Sequence, residues 1–212
     1  VTGIKDFAAG VAHYIGEELQ LNVKDRETVR FGVEYCLVVL VNLVVIIGMA
    51  RWLGITPYVL AAMVTTVALR LVSGGAHCST FFRCLVLGTV VMVGAGQLAA
   101  LIGIWASPAL LLVLAGISAV GGFYAVYKWA PADTPANPIV STAKRASYRR
   151  LSYIFIAVWG AMVSAGVLWG GNSPLVAGLV LASSGGICWQ SFSITPAGYR
   201  FIAAVETLVD KC

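Results

Sequence analysis

Pro108-Ala-Leu-Leu-Leu-Val-Leu-Ala-Gly-Ile-Ser-Ala-Val-Gly-Gly-Phe-Tyr-Ala-Val-Tyr-Lys128-Trp-Ala130 carries no charge before Lys128. A helix that spans a bilayer needs about 20 mostly apolar residues, whereas a barrel strand alternates apolar with polar ones. The stretch therefore reads as a membrane-spanning helix. Five others read the same way: Phe31–Leu53, Thr56–Val72, Thr80–Trp105, Leu151–Trp169 and Ser173–Ser191. The span at Thr56–Val72 is short, with Arg70 near its end, where a long stem can reach the interface. The span at Ser173–Ser191 is interrupted by Ser183-Ser184-Gly185-Gly186, which either permits close helix approach or marks a bend.

Composition agrees. Of 212 residues, 59% are hydrophobic and 11% charged, and the mean hydropathy is +0.90. Soluble domains carry about 25% charged residues. So few charges cannot cover a water-soluble particle, and in lipid only helices and closed barrels satisfy the backbone. The net charge of +5 sits between apolar runs without the aromatic-basic interleaving of a nucleic-acid groove, so no nucleic-acid partner is expected. The five cysteines, Cys36, Cys78, Cys84, Cys188 and Cys212, form no CxxC and no paired framework. The first thirty or so residues are amphipathic and charged, unlike a secretory signal.

Ahead of the first span, Ile4, Phe7, Val11, Tyr14 and Ile15 recur at helical spacing opposite Lys5, Asp6, Glu17 and Glu18, as in a helix lying in the interface. Phe201, Ile202, Val205, Leu208 and Val209 repeat this at the other end. The expectation is one polytopic domain over 1–212: an amphipathic segment 1–30, a six-helix core 31–191 and an amphipathic tail 192–212. With six spans, Lys5, Lys24, Arg26, Arg30, Arg70, Arg83, Lys128, Lys144, Arg145, Arg149, Arg150, Arg200 and Lys211 share one side and Arg51 takes the other. The positive-inside rule then makes both termini cytoplasmic. The long polar connection Pro131–Arg150 carries Pro131, Pro135 and Pro138, which predict an extended path.

The chemistry concentrates in Arg70-Leu-Val-Ser-Gly-Gly-Ala-His77-Cys78-Ser-Thr-Phe-Phe-Arg-Cys84, at the cytoplasmic connection of the second and third spans. A cysteine nucleophile acts as thiolate, favoured beside an imidazole or at a helix N-terminus. In one continuous helix His77 and Cys84 would lie about 10.5 Å apart along the axis, too far for proton transfer. If they cooperate, the helix must begin between them. Gly74-Gly75 supplies freedom ahead of His77, Ser79 or Thr80 is the expected N-cap, and Cys84 would fall in the first turn or so.

Arg70, Gly75, His77 and Cys84, with the proline-containing segment Tyr127–Ile139 and Glu34-Tyr35 in the first span, resemble the accessory gene regulator B (AgrB-type) family of bacterial quorum-sensing membrane endopeptidases. The resemblance covers most of the chain. It implies that Cys84 attacks a peptide bond near the C-terminus of a short AgrD-like propeptide, with His77 as general base. An acyl-thioester then forms, and a nucleophile within the peptide captures it as a thiolactone or lactone. It also implies a homodimer in the bacterial cell membrane, with no cofactor and no metal.

Several residues carry two readings. Glu34 either orients His77 or the substrate, or sits near the interface or pairs with Arg70. Arg70 binds a substrate carboxylate or anchors its helix. Lys144, Arg145, Arg149 and Arg150 are topology signals, with a second role in gripping the acidic C-terminal portion of the propeptide. Cys78 departs from the family pattern, where a small residue such as Ala is usual; it is an alternative thiol or an inert small side chain. Zinc at His77, Cys78 and Cys84 would need a fourth ligand that the neighbouring sequence does not offer. His13, Cys36, Cys188 and Cys212 read as structural or incidental, and Gly88, Gly94, Gly96, Gly121, Gly160 and Gly166 as packing glycines. The rival function is a small peptide transporter or scaffold, which predicts polar residues spread along several spans.

Overall fold

A computed structural model of the chain describes residues 2–76, 78, 80–132, 141–170 and 172–209. Among them run eight helices: α1 (Thr2–Glu18), α2 (Val23–Trp52), α3 (Thr56–Ser73), α4 (Phe81–Gly103), α5 (Pro108–Trp129), α6 (Thr142–Gly170), α7 (Pro174–Ser193) and α8 (Pro196–Val209). Helices α2 to α7 are each long and apolar enough to cross a membrane, matching the six spans read from the sequence. The fold is all-α. His77, Ser79, Pro135, Pro138, Lys211, Cys212 and the side chains of Leu208 and Val209 lie outside the described residues.

Two helices extend beyond their apolar stretches. Helix α2 opens at Val23 because Asn22 caps it: the Asn22 Oδ1 accepts from the Asp25 N–H at 2.9 Å. Helix α6 opens at Thr142, so Lys144–Arg150 is helical, not part of an extended loop as expected. The Ser141 carbonyl accepts from the Arg145 N–H at 3.0 Å and its hydroxyl from the Lys144 N–H at 3.4 Å. The prolines end at Pro138, and Ala143, Lys144, Arg145 and Ala146 are good helix formers. Hydropathy measures the lipid-exposed length; caps and prolines decide where the helix starts.

The chain forms two compact units, 1–46 and 47–212. In the first, α1 buries Ala8 and Ala12 and leaves Phe7 and Tyr14 exposed, as befits an interfacial helix. In the second, α7 is the most buried span and packs against α3, α4, α5, α6 and α8. The reason lies in its composition. Ser183, Ser184, Gln190, Ser191 and Ser193 are buried, and lipid would leave such groups unsatisfied. Apolar side chains such as Val90, Ile117, Val120 and Met162 are turned outward instead, each about 60–70% exposed.

Close approach in this unit rests on glycines. A Cβ on Gly186 would come 2.6 Å from the Ala62 carbonyl oxygen, so the Ser-Ser-Gly-Gly run permits contact with α3 and does not end α7. Gly103 lies against the Gly178 backbone, and Gly178 against the Tyr58 ring. Among the expected packing glycines, Gly96 is tightly enclosed by Val59. A Cβ on Gly94, Gly121, Gly160 or Gly166 would meet nothing within 4 Å. Glycine content was readable from sequence; which glycine faces a neighbour depends on each helix's rotation.

Candidate active site

The site is built where α3 ends. Arg70 closes the last turn, its carbonyl accepting from the Gly74 N–H at 2.9 Å. Gly74 and Gly75 then take φ of +70° and +137°, conformations that L side chains rarely adopt. A short parallel bridge follows: the Ala132 N–H donates to the Ser73 carbonyl at 2.8 Å, and the Gly75 N–H donates to the Ala132 carbonyl at 3.1 Å. The Ala76 N–H donates to the Ser193 carbonyl at the end of α7 at 3.1 Å. The segment before His77 is thus held between the connection leaving α5 and the C-terminal end of α7.

Side chains complete the clamp. Gln190, fully buried on α7, donates from Nε2 to the Gly74 carbonyl at 2.6 Å and to the Ser73 hydroxyl at 2.9 Å. Its Oε1 lies 3.4 Å from the Arg70 Nη1 and 3.2 Å from the Ser193 hydroxyl. The Arg70 Nη2 donates to the Ala76 carbonyl. Arg70 therefore points into the loop and ties its two ends together. Sequence reading passed over Gln190, Ser73 and Ser193. An amide inside an apolar span was the available signal, since such a group in lipid requires partners.

Beyond the loop, Thr80 is the N-cap of α4 with extended backbone, and the Cys84 N–H donates to the Thr80 carbonyl at 3.2 Å. The helix starts at Phe81, so Cys84 lies at its opening and no continuous helix joins 78 to 84. Cys78 and Cys84 are both half-buried free thiols, hydrogen-bonded to each other through their side chains. Burial pushes the Cys78 thiol up to about 11. The negative charge available to Cys84 and Glu206 and the hydrogen bond to Cys84 add to this, and the Arg70 guanidinium opposes it. Cys78 is therefore a neutral thiol at physiological pH. Glu206, on α8, is a neighbour that sequence reading had not associated with the site.

The other predicted residues separate. Arg149 Nε donates to the Ala130 carbonyl at 2.8 Å, and Arg145 Nη2 lies 3.4 Å from the Pro131 carbonyl oxygen, so both brace the start of the connection that meets Gly75. Lys144 and Arg150 are exposed on the same helix. Glu34 is half-buried in α2 and belongs to the first unit. Cys188 is engaged structurally, its Sγ lying 3.3 Å from the Ser118 hydroxyl on α5. Among the described residues, no three His, Cys, Asp or Glu side chains gather as a metal-ligand set.

Two proteins of Clostridium perfringens named as AgrB-like, one from strain 13 / Type A and one from strain SM101 / Type A, are each 23% identical over 215 residues. Each alignment covers 98% of this chain and 99% of the relative. No solved structure matches the chain. The family model for accessory gene regulator B matches residues 8–194, from α1 to the end of α7. Its match takes in the α3–α4 loop, the connection after α5 and the clamp on α7, and the chain belongs to the accessory gene regulator B family.

Proposed function

We propose that this protein is a membrane-embedded cysteine endopeptidase that processes a short AgrD-like propeptide with an acidic C-terminal portion. Membership of the family supports an accessory gene regulator role in quorum sensing; the reaction and the residues that perform it are the finer reading. The observation that carries it is the thiol pair: Cys84 at the opening of α4, hydrogen-bonded to Cys78 in the loop that precedes the helix.

In this reading His77 takes the Cys84 proton, and the Cys84 sulfur attacks the scissile carbonyl carbon. The N-terminal end of α4 places partial positive charge near the developing oxyanion. The tetrahedral intermediate expels the C-terminal fragment as an amine, which receives its proton from His77, and the N-terminal part remains as a thioester on Cys84. A thiol or hydroxyl of the peptide then attacks the thioester carbonyl, closing the thiolactone or lactone and releasing Cys84. A thioester retains the acyl energy that ring closure needs, and a site at the membrane interface limits hydrolysis. Exposed Lys144 and Arg150 hold the acidic portion of the propeptide. The protein works as a homodimer in the bacterial cell membrane, with both termini and the active site on the cytoplasmic side.

The test is intact-mass spectrometry of reconstituted protein mixed with the small peptide encoded beside it, for wild type, Cys84→Ala, Cys78→Ala and His77→Ala. The reading expects a covalent peptide adduct and a released C-terminal fragment. Both should be lost in Cys84→Ala, strongly reduced in His77→Ala and retained in Cys78→Ala. Loss in Cys78→Ala alone would move the nucleophile. Binding without cleavage by folded wild type would turn the assignment to a peptide transporter or scaffold.

A further inference from the structure

A glutamine side chain offers two donors and one carbonyl oxygen with two lone pairs. All are used by Gln190. Its Nε2 serves the Gly74 carbonyl and the Ser73 hydroxyl; its Oε1 faces the Arg70 guanidinium and the Ser193 hydroxyl. The amide has only one workable orientation. Exchanging its nitrogen and oxygen would set donor against donor at Arg70 and acceptor against acceptor at Gly74. Four of these five residues, Arg70, Ser73, Gly74 and Gln190, sit where α3 and α7 pack, and the fifth, Ser193, also holds Ala76 through its carbonyl. A Cβ on Gly75 would come 2.8 Å from the Ser193 hydroxyl and 3.4 Å from Nε2, so the loop backbone lies directly on this clamp.

We infer that Gln190 is the positioning residue of the active site: by holding the Ser73–Ala76 backbone and Arg70 at once, it fixes the loop that leaves α3 on its way to Cys84. The inference rests on the peptidase reading above. An apolar replacement removes a side chain that binds both Arg70 and the Gly74 carbonyl. The loop can then shift without α7 losing its helix, and a misplacement of about 1 Å at a reacting group can cost about 10²-fold in rate.

The experiment uses full-length protein in lipid nanodiscs as wild type, Gln190→Leu, Gln190→Glu and Ser193→Ala. It reads propeptide cleavage, hydrogen exchange at Gly75 and Ala76, and the pH profile of Cys84 alkylation by iodoacetamide. For Gln190→Leu, kcat should fall by about tenfold or more while KM stays within about threefold. Exchange protection should drop at Gly75 and Ala76 but persist along α3 and α7, and the alkylation profile should move. Gln190→Glu should loosen the loop as well, because its carboxylate accepts from Arg70 but repels the Gly74 carbonyl. Ser193→Ala, which removes one donor, should lie between wild type and Gln190→Leu. Wild-type kcat and protection in folded Gln190→Leu would overturn the inference. So would protection lost uniformly through α7. If Gln190→Leu does not fold, Ser193→Ala and Gln190→Glu decide, and wild-type behaviour of both overturns it. A wild type that cleaves nothing removes the peptidase reading instead, and exchange and alkylation still judge whether Gln190 orders the loop beside Cys84.

Discussion

The Gly75 N–H donates to the Ala132 carbonyl at 3.1 Å, joining the loop ahead of His77 to the proline-containing connection that leaves α5. These were separate motifs in the sequence, and in the fold each holds the other's backbone. Gly75 can make the contact because its φ of +137° is open to glycine and because no side chain intrudes on Ser193. Gly75→Ala should therefore displace the loop. We expect propeptide cleavage to fall by about 10²-fold in a protein that still elutes as a folded, monodisperse species. Undiminished cleavage would mean that the loop's placement does not set the rate.

Cys78 provides a pH signature. Its thiol titrates near 11, so it is protonated at neutral pH and should resist iodoacetamide there. Site-resolved mass spectrometry across pH should show Cys78 modification rising with a midpoint near 11. In Cys84→Ala the charge and hydrogen bond from Cys84 vanish while burial, the largest cause, remains. The midpoint should then fall but stay above 9.0. The same raised value means that any stability linked to Cys78 is complete below pH 9 and lost as pH rises toward 11. A Cys78 midpoint at or below 9 would contradict the burial seen here.

Arg149 and Arg145 brace the carbonyls of Ala130 and Pro131, Arg149 doing so from an exposed position, and Lys144 and Arg150 are exposed as well. The two pairs should therefore fail differently. Arg149→Ala should lower kcat by about tenfold by loosening the connection that meets Gly75, with KM little changed. Lys144→Glu with Arg150→Glu should raise KM for a propeptide with an acidic C-terminal portion, more at low salt than at high, because exposed charges are screened. Identical kcat and KM changes in both variants would erase the distinction.

Packing around α7 makes a contrast of its own. Gly186→Ala places a methyl 2.6 Å from the Ala62 carbonyl oxygen and should cost about 1–3 kcal/mol in reversible unfolding from detergent. Gly121→Ala meets open space and should lie within about 0.5 kcal/mol of wild type. Equal effects at the two positions would show that α7 does not make the close approach to α3.

The number and order of the spans were legible in the sequence, because about 20 apolar residues without a charge have one low-energy state in lipid. The break before α4 was legible too: Gly74-Gly75 and Thr80 are local signals, and the helix begins at Phe81. Family membership could be anticipated from Arg70, Gly75, His77 and Cys84 in order. The start of α6 was hidden because Lys144–Arg150 is too polar to register as a span. Tertiary structure alone decided that α7 is central to the second unit, that Arg70 turns inward to Ala76 and Gln190, and that Cys78 and Cys84 are paired. The reason is physical. Hydropathy and caps act within a few residues along the chain, whereas the buried Gln190 amide takes its partners at the end of α3, more than a hundred residues away, and only packing brings those together.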